Sequence, residues 1–282
     1  IGVGHQLLEG RKFTRVLLDE ATQATEPASL VPLVRGARQI VLVGDHRQLP
    51  LTVISRRAEN GGLRRSLFER LVAMGIEPKL LDTQYRMHPA ISDFPNRSFY
   101  DGQLVDGIAA AERPNPAGLL WNDWEVPIAF LPLKGDEILS SDGASKENPS
   151  EAGWVARILE SLLEAGDLNQ SDIGIITPYA GQVRAIRDAL MERNDSVEVN
   201  TIDGYQGREK EVIIFSCVRS NSDGNVGFLA DPRRLNVALT RAKRGLIVIG
   251  DPETLRNDET WASWLEHIRN RNLEAWHILG MA

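Results

Sequence analysis

Cysteine, lysine and long apolar runs are all scarce in this sequence, and each shortage excludes something. A single cysteine, Cys217, cannot close an internal disulfide, and no Cys/His cluster has the spacing of a zinc site. A disulfide-stapled secreted scaffold is thereby excluded, and a reducing compartment, cytosol or nucleus, is expected. No stretch reaches the ~18 consecutive apolar residues of a membrane-spanning helix, so no membrane partner is expected. Ile1-Gly2-Val3-Gly4-His5 has neither a basic start nor an apolar stretch and does not read as a signal peptide. The chain does not begin with Met, which points to a piece of a longer protein.

Lysines number six against 26 arginines. Arginine suits bidentate contacts to carboxylate and phosphate better than lysine does, although a genome rich in G and C gives the same bias. The net charge of −7 argues against a binder that meets nucleic acid with its whole surface. It leaves room for a local basic groove. With 282 residues, 42% hydrophobic and 25% charged, the composition is that of a globular protein of one large or two small domains.

Short aliphatic runs punctuate the chain: Val16–Leu18, Ile40–Val43, Ile173–Ile176, Val212–Phe215 and Leu246–Ile249. Each is too short for a helix and reads as a fully buried parallel strand. Between them lie helical patterns. Ser150 is positioned to cap a helix over Glu151–Ala165, with Trp154, Val155, Ile158, Leu162 and Leu163 at helical spacing. Gln182–Arg193 carries Val183, Ile186, Ala189 and Leu190 on one face, and Pro232–Lys243 carries Leu235, Ala238, Leu239 and Ala242. Strands alternating with helices predict a doubly wound α/β sheet. The stretch 102–148, rich in Pro and Gly and carrying Trp121 and Trp124, reads as an irregular excursion with one strand at Ile128–Leu131. The domain boundary is placed near Thr83–Gln84, giving units 1–84 and 85–282.

In open α/β sheets, ligands bind beyond the carboxyl ends of strands. The first strand ends in Asp19-Glu20-Ala21-Thr22-Gln23. There an Asp can hold Mg²⁺ and the adjacent Glu can polarise an attacking water; taken alone, these two residues read more readily as an acidic pair that caps a helix before Pro27. The second strand ends in Gly44-Asp45-His46-Arg47-Gln48-Leu49-Pro50, where the Gln48 amide can donate to phosphate or orient water.

Taken in order, these two segments, Gln84-Tyr85-Arg86-Met87-His88-Pro89, Gly207-Arg208-Glu209 within Thr201–Lys210, and Asn236–Ala242 resemble consecutive motifs of superfamily 1 helicases. The similarity runs from about Phe13 to Trp264 and is strongest to the up-frameshift-like branch. The resemblance implies a RecA-like P-loop NTPase fold, with parallel sheets flanked by helices and a first domain truncated at its N-terminus. It implies ATP and Mg²⁺ as cofactors, single-stranded RNA or DNA as partner, and a monomer in the intact protein. Carried over position by position, it makes Asp19 the Mg²⁺-linked carboxylate, Glu20 the group that activates water and Gln48 the sensor of the γ-phosphate. Tyr85 stacks on adenine, Arg86 meets the γ-phosphate, Gly207 lies beside the nucleotide, Glu209 reaches the ribose and Arg241 is an arginine finger. Thr177, Pro178, Tyr179 and Thr201 match positions that touch the bound strand; Tyr179 can stack on a base, although an aromatic after a strand also serves packing. His88-Pro89 fits either the groove or a turn. On a helix of ~100° per residue, Arg234 and Arg241 fall within roughly 20° of each other, beside the face that buries Leu235 and Leu239.

A helicase of this kind needs a Walker A loop, Gly-x-x-x-x-Gly-Lys-[Ser/Thr]. None of Lys12, Lys79, Lys134, Lys146, Lys210 and Lys243 sits in one. In the family that loop lies upstream of Asp-Glu-Ala-Thr-Gln, so it is expected to fall before Ile1. Leu51 stands where the family commonly has proline, at a position that touches no catalytic atom. The expected function is the C-terminal portion of an ATP-dependent nucleic-acid helicase, inactive alone. The alternatives are a non-catalytic RecA-fold binding or scaffolding module and, less in keeping with the strand-contacting motifs, an ATPase that does not translocate.

Overall fold

The computed structural model describes residues 9–53, 55–191 and 197–280. They form two compact units, which divide between Leu81 and Asp82.

In the first unit, β1 (Arg15–Leu18) pairs in parallel with β2 (Gln39–Leu42). Between them runs α1 (Glu26–Leu33), whose N-cap is Thr25: its hydroxyl accepts from the Ala28 amide, and Pro27 sits in the first turn. Capping thus falls to Thr25, not to the Asp19-Glu20 pair. Then follow α2 (Arg56–Asn60) and α3 (Leu67–Ala73), the latter opened by a reciprocal Ser66–Glu69 capping box. The expectation of fully buried strands fails here. Leu17 is 65% exposed and Val41 53%, because the described helices of this unit do not cover both faces of the two-stranded sheet.

The second unit opens with β3 (Thr83–Gln84), which pairs with β4 (Val105–Asp106) across α4 (Pro89–Phe99). Thr83–Gln84, expected at the end of the first unit, thus pair within the second. Next come β5 (Ile128–Pro132), the antiparallel pair β6 (Ile138–Leu139) and β7 (Lys146–Glu147), α5 (Pro149–Glu164), β8 (Ile173–Thr177), α6 (Ala180–Met191) and β9 (Glu198–Thr201). β10 (Lys210–Ser216), α7 (Pro232–Leu239), β11 (Ala242–Gly250), α8 (Pro252–Leu255) and α9 (Glu259–Asn270) complete it. Among the described residues, five of these strands form one all-parallel sheet in the order β5-β11-β10-β8-β9.

Alternation along the strands sets two layers around that sheet. Ala129, Leu131, Val212 and Ile214 pack into one core with Val155, Ile158, Leu159 and Leu162 of α5 and Val183, Ile186 and Leu190 of α6. On the other face Phe130 meets Trp264 at 5.4 Å and Phe215 meets Trp261 at 6.0 Å, both tryptophans lying on α9. The expected α/β architecture of a parallel sheet flanked by helices is present.

The strand expected in the excursion is present as β5, longer by Pro132 and with all five residues buried, and the excursion buries Trp121 as well. Three local expectations need correction. The cap of α5 is Asn148, whose side chain accepts from the Glu151 amide, because Pro149 starts the helix and puts Ser150 inside it. The helix expected over Gln182–Arg193 spans Ala180–Met191, and Glu192 and Arg193 lie outside the described residues. Finally, α7 stops at Leu239 with Thr240 as its C-cap. Arg241 therefore stands in the turn into β11, and the helical-face argument that paired it with Arg234 does not hold.

Candidate active site

In the first unit the chain leaves β1 through Asp19 and Glu20. Glu20 adopts a left-handed conformation (φ 49°, ψ 41°), a strain of about 1–3 kcal/mol for a residue with a Cβ. Local bonds hold it there: its amide donates to Asp19 Oδ1 at 3.0 Å, its carbonyl accepts from Gln23 N at 2.9 Å, and its Oε2 accepts from Gln23 Nε2 at 2.6 Å. The Ala21 amide donates to Val43 O and the Thr22 hydroxyl to Asp45 O, which tie this turn to the loop after β2. In that loop Gln48 Nε2 donates to Asp45 Oδ2 at 2.8 Å, and the Arg47 amide donates to Asp45 Oδ1. Asp19 and Glu20, both exposed, thus follow β1 directly, while Gln48 sits in the loop after its parallel partner β2.

Mg²⁺ takes oxygen ligands, keeps several waters and is bound through one or two carboxylates together with substrate phosphates. One exposed carboxylate, Asp19, fits a Mg²⁺ that arrives with a nucleotide better than a cage built of protein. Among the described residues no three His, Cys, Asp or Glu side chains gather as a metal cluster.

In the second unit the Gln84 side chain shapes the turn that carries Tyr85 and Arg86. Its Oε1 accepts from the amides of Arg86 (3.0 Å) and Met87 (2.8 Å), while Nε2 donates to Met87 O and to Asp106 Oδ1. Tyr85 is held out, 66% exposed, against Gly107, where any Cβ would collide with its ring. His88 instead turns inward: its Nδ1 caps α4 by accepting from the Ala90 amide, and burial lowers its pKa against the pull of Asp106.

Arg86 donates Nε to Glu209 Oε2 at 2.6 Å and Nη1 to Thr240 O at 3.0 Å. Lys243 Nζ lies 3.2 Å from the other Glu209 oxygen and 3.4 Å from Glu211. Burial pushes the Glu209 carboxyl up, but Arg86 and Lys243 outweigh it and hold the group below the usual carboxylate range. Arg241 is only 2% exposed. It donates Nε to Val237 O (3.1 Å), Nη1 to Arg208 O (3.4 Å) and Nη2 to Thr240 Oγ1 (3.0 Å). The two arginines therefore meet on Thr240, one at its carbonyl and one at its hydroxyl. Gly207, at φ 76°, opens the turn that leads through Arg208 to Glu209.

The structure thus brings Arg86, Arg241 and Glu209 together, with Tyr85 and Gly207 adjacent in the chain. Lys243, Gly107 and Thr240 join them unanticipated. Thr240 lies within a quoted motif and Lys243 directly follows it, whereas Gly107 lay in a segment read as irregular and gave no signal.

The strand-contacting residues stand differently. Thr177 and Thr201 are register partners at the ends of β8 and β9, so they do share an edge. Thr177 and Pro178 are buried, and the Thr177 hydroxyl has no hydrogen-bond partner. Tyr179 is 6% exposed, with its ring on Phe228 and its hydroxyl accepting from Arg219 Nη1 at 3.1 Å. It packs; the expected stacking role finds no open ring face here.

Two family models, each described as an AAA domain, match the chain over residues 63–253 and 1–56. The chain is 44% identical over 280 residues to "Regulator of nonsense transcripts 1" of Dictyostelium discoideum, covering 97% of this chain and 21% of that protein. It is also 44% identical over 280 residues to "ATP-dependent helicase NAM7" of Saccharomyces cerevisiae, covering 96% of this chain and 28% of that one. The chain therefore spans less than a third of the length of either relative. Among solved structures, an arterivirus nonstructural protein 10 (helicase) in complex with DNA matches 85% of this chain and 40% of its own, with a TM-score of 0.43 and 16% identity.

Proposed function

The chain belongs to the AAA domain family, and from that membership we propose that it is the C-terminal portion of an ATP-dependent helicase that steps along single-stranded RNA or DNA. The observation that carries the reading is the cluster of Arg86, Arg241 and Glu209 around Thr240, assembled from three segments far apart in the sequence. Guanidinium groups gathered in this way neutralise charge on a transferring phosphoryl group. Support comes also from the likeness to relatives named as ATP-dependent helicases over nearly the whole chain.

On this reading ATP supplies the phosphoryl group and Mg²⁺ neutralises part of its charge. Asp19 holds the ion, Glu20 accepts a proton from the attacking water, and Gln48 senses the γ-phosphate. Tyr85 offers its exposed ring to the adenine and Glu209 reaches the ribose. Arg86 and Arg241 meet the phosphates with two positive charges, and Thr201 holds a phosphate of the strand. The phosphate cradle itself, a Walker A loop, is expected from the part of the parent protein upstream of Ile1.

The test compares ATP hydrolysis by the parent protein, its Glu20→Gln variant and residues 1–282 alone, each with and without single-stranded RNA. The parent should be stimulated by the strand, and the chain alone should not turn over. Glu20→Gln should keep nucleotide affinity but lose at least ~10²-fold in kcat, because the amide has nearly the same shape and is a far poorer proton acceptor. A variant within threefold of the parent would remove Glu20 from its role. A parent without strand-stimulated turnover would leave the scaffolding module as the better reading.

A further inference from the structure

Beyond the carboxyl ends of the parallel strands stands an aromatic with no part in the function proposed above. Phe228, in the turn Gly227–Ala230, is 56% exposed, yet everything behind it is fixed. Its ring lies on that of Tyr179, with centroids 5.2 Å apart and planes tilted by 34°. The Tyr179 hydroxyl accepts from Arg219 Nη1 at 3.1 Å and from the Phe228 amide at 3.4 Å. Arg219, itself buried, donates Nε to Glu137 at 2.7 Å. That carboxyl also accepts from Lys146, the Ser220 amide and the Asn221 side chain.

The brace continues into the core. Both oxygens of the fully buried Glu151 accept from the amide of Val218, at 3.0 and 2.9 Å. Val218 adopts φ 71°, a conformation that a β-branched residue takes only under constraint. The chain is thus turned out of β10 one residue before Arg219. At Gly227 (φ 58°) any Cβ would collide with the Arg219 guanidinium and the Tyr179 hydroxyl, so the turn can lie this close only with glycine there. An exposed ring on such a pedestal loses little freedom when a flat partner meets it.

The surroundings of the ring are polar. The Arg234 guanidinium lies over it, 5.2 Å from the centroid, and pairs with Asp203 at 3.2 and 3.4 Å. Asp203 follows Thr201 by two residues, at the edge where ligands of open α/β sheets bind. An apolar protein partner would meet charge around a single ring, whereas a single strand offers a base face to the ring and a phosphate to the guanidinium.

We propose that Phe228 is a stacking platform for a base of single-stranded nucleic acid, that Arg234, which lies over the ring here, moves from it to a phosphate of the strand, and that Tyr179 is the pedestal. This rests on the function proposed above only in taking the ligand to be a single strand.

The test measures binding of fluorescent 12-mers of oligo-U and oligo-dT to the intact parent protein by anisotropy across a salt series. Phe228→Ala should weaken binding between about fivefold and 100-fold, the range of one lost base stack. Phe228→Leu keeps bulk against Tyr179 but has no π face, so it should fall with the alanine variant. Phe228→Trp should stay within about twofold of the parent. Arg234→Ala should weaken binding and flatten the salt dependence by about one phosphate contact. Leucine or alanine variants that bind like a strand-binding parent would overturn the platform and leave the helicase reading standing. A parent that binds neither oligonucleotide would overturn both.

Discussion

Glu151→Gln is the most informative single change in the second unit, because its effect should reverse the usual pH dependence of a carboxylate. Glu151 is fully buried in the first turn of α5, where both oxygens accept from Val218 N, Ser216 Oγ lies 2.6 Å away and Asn148 Nδ2 3.4 Å. Burial pushes its carboxyl up; the Ser216 hydroxyl and Val218 amide oppose this, Asp251 adds to it, and the group titrates at about 8 instead of 4.5. The folded chain therefore keeps a proton that the unfolded chain gives up near pH 4.5. The stability this contributes is fully present below the unfolded value and is lost as pH rises through the folded one. At ~1.4 kcal/mol per pH unit, a slope that fades as the folded group begins to ionise, roughly 2 kcal/mol should go between pH 6 and pH 8. Glutamine cannot titrate, so the variant lacks this slope. At pH 6 it should be less stable by about 1–3 kcal/mol, since its Nε2, unlike either oxygen of the neutral carboxyl, cannot accept from Val218 N. Near pH 8 the gap should close. His88 and His267, lowered chiefly by burial, the latter to about 4, give a slope of opposite sign. Both proteins carry them, so the difference between the two profiles removes their contribution. Urea unfolding followed by tryptophan fluorescence reads this unit alone, since all six tryptophans lie beyond residue 81. Parallel profiles at pH 6 and pH 8, within about 0.5 kcal/mol, would refute the reasoning.

Two further outcomes follow from the nucleotide-side cluster. Arg241→Ala removes a buried guanidinium from two backbone carbonyls and a hydroxyl; it should cost about 2–4 kcal/mol in urea unfolding and at least ~10³-fold in the parent's kcat, and a variant of parental stability would show the site to be looser than its burial implies. Gly107→Ala drives a methyl into the Tyr85 ring and should raise KM for ATP several-fold with kcat nearly unchanged, which steady-state kinetics will show; an unchanged KM would take Tyr85 away from the adenine.

Residues that act through chain order were legible in the sequence, and those that act through packing were not. The parallel strands of the second unit could be read from runs such as Val212–Phe215 because both faces are covered, which makes every residue apolar. β9 (Glu-Val-Asn-Thr) escaped, since an edge strand needs no such run. The pair β1 and β2 showed the same aliphatic signal as the core strands, yet the signal does not say whether a covering layer exists. Arg241 was misplaced because the 3.6-residue period continues through Ala242, whereas pairing of Lys210 with Ala242 draws the chain into β11 and ends the helix at Leu239. Tyr179 was ambiguous for a further reason: its partners, Arg219 and Phe228, stand 40 and 49 residues away.

The two arginines of the cluster are held by different chemistry, and this separates what each can do on the proposed reading. Arg241 is buried and anchored by the carbonyls of Val237 and Arg208 and by the Thr240 hydroxyl, neutral acceptors that fix its place while leaving its charge in force. It is suited to supply a positive potential at a set position. Arg86 is part-exposed and bound to the carboxylate of Glu209, a partner that an incoming phosphate can replace with equal or greater charge. If Arg86 left, Glu209 would not be stranded, because Lys243 already sits at its second oxygen. Moving Arg86 from Glu209 to a phosphate therefore exchanges one ion pair for another and leaves no lone carboxylate behind. A fixed guanidinium and an exchangeable one, meeting on the same Thr240, give the second unit a way to register whether a terminal phosphate is present. The exchange would move Arg86 and leave the core beneath Arg241 undisturbed.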